Sequence, residues 1–120
     1  MIHLEDEKNF NELIKDKAVV DFFATWCGPC KMLGPVFEEV SKEKDINFVK
    51  VDIDNFEDIC REYKVMSVPT LILFENGKEV KRNVGFMPKE KLIEFIENKW
   101  LYIKQNRKII SLLFYLFCRN

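Results

Sequence analysis

Two cysteines two residues apart, in Thr25-Trp26-Cys27-Gly28-Pro29-Cys30-Lys31, are the groups in this chain best suited to chemistry. A pair so spaced can close as a disulfide and reopen as a dithiol that passes two electrons to another disulfide, or it can supply half of a metal site. For exchange the reactive species is the thiolate, so the surroundings must favour the charged sulfur. Upstream, Ala18-Val19-Val20-Asp21-Phe22-Phe23-Ala24 is an apolar run that reads as a strand buried on both faces. Downstream, Lys31 to Lys44 has helical spacing, with Met32, Val36, Phe37 and Val40 on one face. The pair therefore lies where a central strand feeds a helix N-terminus. Unpaired N–H groups and a partial positive charge gather there, and they lower the pKa of a first-turn cysteine. Cys27, at the junction, is the expected nucleophile. Cys30, one turn further in, is expected to be more buried and to resolve the intermediate.

One carboxylate interrupts the apolar run. Asp21 has apolar neighbours at 19, 20, 22 and 23, and burying an ionised group is costly unless it is paired or becomes neutral. A salt bridge that merely tolerates burial is the plain reading. The functional one is a carboxyl of raised pKa beneath the cysteines, able to accept and return a proton.

The rest of the composition narrows the class. The 120 residues suit one domain, and 48% apolar residues with 11 phenylalanines supply a core. A net charge of −1 offers no argument for nucleic-acid binding. The four cysteines, Cys27, Cys30, Cys60 and Cys118, are one close pair and two singles, not a disulfide framework. Structural zinc wants four ligands, commonly as two pairs, and here there is no second pair; His3 is remote and reads as a surface residue of an edge strand, so no metal site is expected. Met1 to Glu7 is acidic and lacks the apolar core of a secretory signal, so a reducing, cytoplasmic setting is expected.

The remaining elements must hold this pair in place. Ile2-His3-Leu4 is a short candidate strand, followed by Asp6 as an N-cap and a stripe of Phe10, Leu13 and Ile14. Pro35, preceded by Gly34, predicts a kink rather than a stop in the helix after the cysteines. Asn47 to Asp54 predicts a strand with apolar residues at 49, 51 and 53. Phe56 to Lys64 predicts a short helix whose apolar face includes Cys60 as a small core residue. Pro69 opens the strand Leu71-Ile72-Leu73-Phe74, where its missing N–H costs little. Asn76-Gly77 signals a tight hairpin turn, and Glu79 to Val84 returns as a charged edge strand that Gly85 ends. Pro88 starts a last helix with Leu92, Ile93, Phe95 and Ile96 on its buried face. This order implies an α/β fold, a mixed sheet with helices on both faces.

Trp-Cys-Gly-Pro-Cys-Lys, an Asp six residues before the first cysteine and the later Val68-Pro69-Thr70 together resemble thioredoxin, over about Met1 to Lys99. The resemblance implies the thioredoxin fold and a protein-disulfide reductase, an electron carrier that needs no bound cofactor beyond its own Cys27–Cys30 disulfide. It implies that Asp21 serves as proton acceptor and donor toward Cys30, and that Lys50 lies near it and helps set its pKa. It also implies that the Val68-Pro69 bond is cis and faces the cysteines, with Trp26, Gly28, Pro29, Val68, Pro69 and Gly85 forming the substrate-binding surface. The implied partners are thioredoxin reductase and proteins carrying disulfides. Gly-Pro between the cysteines resembles the reducing members of the family; a role as a non-catalytic scaffold partner is the alternative the resemblance leaves open.

The chain departs from the pattern twice. Phe23 stands where many thioredoxins have tryptophan. Residues 100–120 form a C-terminal extension beyond the 1–99 domain, with four Lys or Arg and no acid, which leaves −5 for residues 1–99. Nine of the ten residues from Ile109 to Cys118 are apolar, half the roughly 20 needed to span a bilayer. This segment is expected to pack on the domain or on a second copy; an extension with no function and, after that, contact with a membrane surface are the alternatives.

Overall fold

The computed structural model describes residues 1–97. The expectations placed on the extension lie outside the described residues.

Nine elements follow one another in the order the sequence predicts. They are β1 (Ile2–His3), α1 (Phe10–Leu13, entered through a 3-10 turn at Glu7–Asn9), β2 (Ala18–Phe23), α2 (Gly28–Ser41), β3 (Asn47–Asp52), α3 (Glu57–Glu62), β4 (Thr70–Glu75), β5 (Lys78–Val84) and α4 (Lys89–Glu97). They build one five-stranded sheet in the order β1-β3-β2-β4-β5. The first three strands are parallel, and β4 and β5 each run antiparallel to their neighbour. β2 is central and buried along almost its whole length, as a strand covered on both faces must be.

Alternation along the strands divides the core in two. Ala18, Val20 and Phe22 of β2, with Val49 and Val51 of β3, pack with Phe10, Ile14 and Ile59 on one face. There Phe10, Tyr63 and Phe74 form a three-ring cluster with centroids 5.1–5.9 Å apart. Val19 and Phe48, with Leu71 and Leu73 of β4, pack beneath Leu33, Phe37 and Val40 of α2 and Leu92 and Ile96 of α4. On that face Lys89 joins α4 to Glu39 of α2 (2.9 Å) and to Glu43 just past its end (3.0 Å).

The turn chemistry follows the sequence. Asn76 and Gly77 both take positive φ, +56° and +77°, as a tight hairpin requires. Asp6 caps the first helical turn, its carboxylate accepting the Lys8 N–H at 2.9 Å. Pro35 lies inside α2, which runs on past it to Ser41.

Several boundaries and one face differ from expectation. β3 stops at Asp52, where the Asp carboxylate accepts the Asp54 N–H at 2.9 Å and turns the chain. α3 is shorter than the apolar pattern suggests, with Phe56 outside its first turn. Met32 is not on the buried face of α2: it is 61% exposed, and the inward face is Cys30, Leu33, Phe37 and Val40. Cys30, Leu33, Phe37 and Val40 recur every three or four residues on one stripe; Met32 lies about 100° round the helix from Leu33, outside that stripe, and Val36 is half-buried at its margin.

Candidate active site

β2 ends at Phe23, and four residues later Cys27 is the N-cap of α2. Its backbone is extended (φ −92°, ψ 120°), and its Sγ accepts the Cys30 N–H at 3.2 Å. A sulfur thus takes the place of the oxygen that usually caps a helix, receiving one of the first-turn amides that have no partner within the helix. Pro29, within the first turn, has no N–H to leave unpaired. Cys27 and Cys30 are joined as a disulfide, their Cα atoms 5.3 Å apart. Both are buried, at 6% and 3% exposure, so the expected difference between them is small in the oxidised pair.

The loop before β4 closes over the first sulfur. Val68-Pro69 is cis, as the resemblance implies, and the Val68 carbonyl lies 3.8 Å from Cys27 Sγ. Thr70 Oγ1 donates to the Ser67 carbonyl at 2.7 Å, and the Gly85 N–H donates to the Pro69 carbonyl at 2.8 Å, so the loop is held from both ends. A Cβ at Gly85 would meet no atom within 4 Å; its φ of +101° is what demands glycine. Beside the pair in sequence, Trp26 is 68% exposed. Trp26 is oriented by its indole N–H, which donates to Asp54 Oδ2 at 3.0 Å. Asp54 escaped the sequence reading, because its role depends on a strand end brought beside the motif from 28 residues away.

Asp21 alternates with Val19 on the α2 side of β2 and has no solvent exposure. Lys50 is its register partner on β3, and the ammonium lies 3.8 Å from Asp21 Oδ2, an ion-pair contact too long for a hydrogen bond. Neither carboxylate oxygen accepts a hydrogen bond from the described residues. Burial pushes the Asp21 carboxyl up from 3.8 to about 6, and the charge of Lys50 holds it from rising further. A buried aspartate that is half protonated near pH 6 can exchange a proton at physiological pH.

The other cysteine among the described residues is different. Cys60 is half-buried against the α1/α3 core, and burial, with Glu57, Asp52 and Asp54 nearby, pushes its thiol up. That environment disfavours the thiolate, in keeping with a packing role. Among the described residues no three His, Cys, Asp or Glu side chains are placed to hold a metal ion, and no helix is long and apolar enough to cross a membrane.

Comparison with known proteins places this geometry in a family. The Thioredoxin family model matches residues 1–98. The thioredoxin of Mycoplasmoides gallisepticum is 46% identical over 100 residues, covering 81% of this chain and all of that protein. The thioredoxin of Chlamydia trachomatis is 47% identical over 98 residues, covering 80% of this chain and 96% of its own. Among solved structures, a mutant thioredoxin from Halobacterium salinarum superposes with a TM-score of 0.76 at 34% identity, covering 80% of this chain and 87% of that one. The reduced Schistosoma mansoni thioredoxin pre-protein gives 0.73 at 42% identity, covering 80% and 94%. With the Cys-Gly-Pro-Cys disulfide at the N-cap of α2, these likenesses make the protein a thiol-disulfide oxidoreductase whose chain belongs to the thioredoxin family.

Proposed function

We propose that this protein reduces disulfides of other proteins with Cys27 as the attacking sulfur, Cys30 as the resolving one and Asp21 as the proton carrier between turnovers. The observation that carries this division is the asymmetry at the head of α2. Cys27 Sγ is the sulfur that receives the helix amide and faces the Val68 carbonyl, whereas Cys30 is the deeper of the two. In the reduced protein that amide and the helix terminus favour the Cys27 thiolate.

The steps balance as follows. Cys27 thiolate attacks one sulfur of the substrate disulfide; the substrate S–S bond breaks, and its other sulfur leaves as a thiolate and takes a proton. Cys30 loses its proton to Asp21 and attacks Cys27 Sγ, which expels the second substrate sulfur as a thiolate that takes its proton from solvent, and the Cys27–Cys30 bond closes. The substrate gains two electrons and two protons, and the protein's pair is left oxidised. Lys50 keeps Asp21 from being permanently protonated. Trp26, Gly28, Pro29, Val68, Pro69 and Gly85 form the surface on which an extended substrate segment lies, with the Val68 backbone offered beside Cys27. No cofactor is needed beyond the disulfide itself. The electron donor is a thioredoxin reductase, the setting is the cytoplasm, and residues 1–99 are the redox domain, with residues 100–120 an added extension.

Trapping tests the assignment. Cys30→Ser should hold protein substrates as mixed disulfides that dithiothreitol releases, and Cys27→Ser should trap none. If Cys27→Ser traps partners and Cys30→Ser does not, the two roles are reversed.

A further inference from the structure

Among the described residues the Lys50 ammonium stands against two groups. One is the Asp21 carboxylate; the other is the ring of Phe23, 4.3 Å from the centroid. α2 passes close by, since a Cβ on Gly34 would come within 3.7 Å of the same Nζ. The Lys50 side chain is only 12% exposed, so this cation has exchanged most of its water for one carboxylate oxygen at ion-pair distance and one aromatic face. Neither contact is a hydrogen bond, and a long lysine stem has several rotamers that would return the ammonium to solvent. An aromatic face attracts a cation most strongly when water is kept away, as it is here.

We infer that Phe23 is a positioning residue of the redox site: its ring holds the Lys50 ammonium beside Asp21, and through it sets the pH at which Asp21 changes charge. The chain supports this by geometry at every step. Phe23 is two residues beyond Asp21 on β2, so both side chains lie on the α2 face. Lys50 is the register partner of Asp21 on the adjacent parallel strand. The ring is thus fixed one pleat from the carboxylate, and the lysine lies across both. Without the ring, the ammonium has only a 3.8 Å contact to a group that is itself neutral below pH 6, too little to keep it from water.

The other groups near the pair do not substitute for the ring. β4 opposes Asp21 with Leu71, and α2 brings the cysteine pair. Among the described residues Lys50 is the one charged group that acts on Asp21. Asp52, two residues along β3, is engaged by the Asp54 N–H. His3 is the register partner of Lys50 on β1 and is exposed.

The inference rests on the proposed role of Asp21 only for its catalytic consequence. The test is the Asp21 side-chain carboxyl titration by carbon NMR in the oxidised protein, with the pH profile of disulfide reduction alongside. Phe23→Leu should raise the Asp21 midpoint by roughly half a unit to one unit, and Phe23→Trp, which keeps an aromatic face, should leave it at or below the native value. Replacing Phe23 by trifluorophenylalanine, which keeps the shape and weakens the negative ring face, should shift the midpoint in the same direction as leucine, and it guards against misfolding of the leucine variant. In a Lys50→Met background none of the three should move Asp21. A midpoint unmoved or lowered by Phe23→Leu and by the fluorinated ring, or moved equally with and without Lys50, overturns the inference. A shifted midpoint with an unshifted reduction profile supports it and refutes Asp21 as the proton carrier.

Discussion

Asp21→Asn should stabilise the protein at neutral pH and do so progressively less as the pH falls. The carboxyl has no solvent exposure, and its pKa is raised from 3.8 to about 6 in the fold. Because the folded state holds this proton more tightly than the unfolded chain, native stability is highest below the unfolded value. It declines as the pH rises through the interval between the two values, and above about 6 the full cost of a buried charge is present. A gap of roughly two pKa units corresponds to about 3 kcal/mol, at about 1.4 kcal/mol per unit. Asparagine keeps the shape but cannot ionise. Its own desolvation weighs equally at every pH in this range, and the attraction between the Asp21 anion and Lys50 is already contained in the folded value. The informative quantity is therefore the change in the mutant-minus-native difference: it should move in favour of the mutant by about 2.5 kcal/mol between pH 4 and pH 8, the rest of the change lying below pH 4. Urea unfolding of both oxidised proteins at intervals across that range measures it. A difference that stays constant with pH, or that favours the mutant more in acid, would refute the claim that Asp21 is buried without adequate partners.

Deleting residues 100–120 should leave a chain that folds and reduces disulfides at close to the full rate, since the two cores described above close within residues 1–97. Light scattering on the two lengths should show less self-association for the shorter one, and failure of the shorter chain to fold would assign the extension to the core. Gly77→Ala should cost about 1 kcal/mol without touching turnover, because its φ of +77° strains any residue with a Cβ although the space around it is open. An equal denaturant midpoint for Gly77→Ala and the native protein would contradict that account of the hairpin.

Much of this protein is local and therefore legible in the sequence. A cysteine pair at the end of a continuous apolar run and the start of a helical stripe can only sit at a strand-to-helix junction, and it does. Asn76-Gly77 names its own turn, because two successive positive φ values suit few other residues. Asp21 among Val19, Val20, Phe22 and Phe23 announces a buried carboxylate, because the period-2 alternation of a strand leaves it nowhere wet when both faces are covered. Met32 shows where local pattern fails. Its apolar side chain and its i, i+4 spacing to Val36 suggest an inward place, but the packed stripe runs through Cys30, Leu33, Phe37 and Val40 and leaves Met32 in solvent. What the local pattern left to the tertiary structure is which residues meet across the sheet, even where the family resemblance implied the meeting. Lys50 faces Asp21 because β3 pairs in parallel with β2 in one register out of several that the apolar pattern would accept. The same register lays the ammonium on Phe23, and the turn after β3 brings Asp54 to the Trp26 indole. The loop that carries the Val68 carbonyl to Cys27 is held by Gly85 from the far end of β5. Each of these contacts joins segments far apart in the chain, and no spacing within either segment encodes the distance between them. The cysteine chemistry is thus written in one short stretch, whereas the environment that tunes its proton is set by how the strands align.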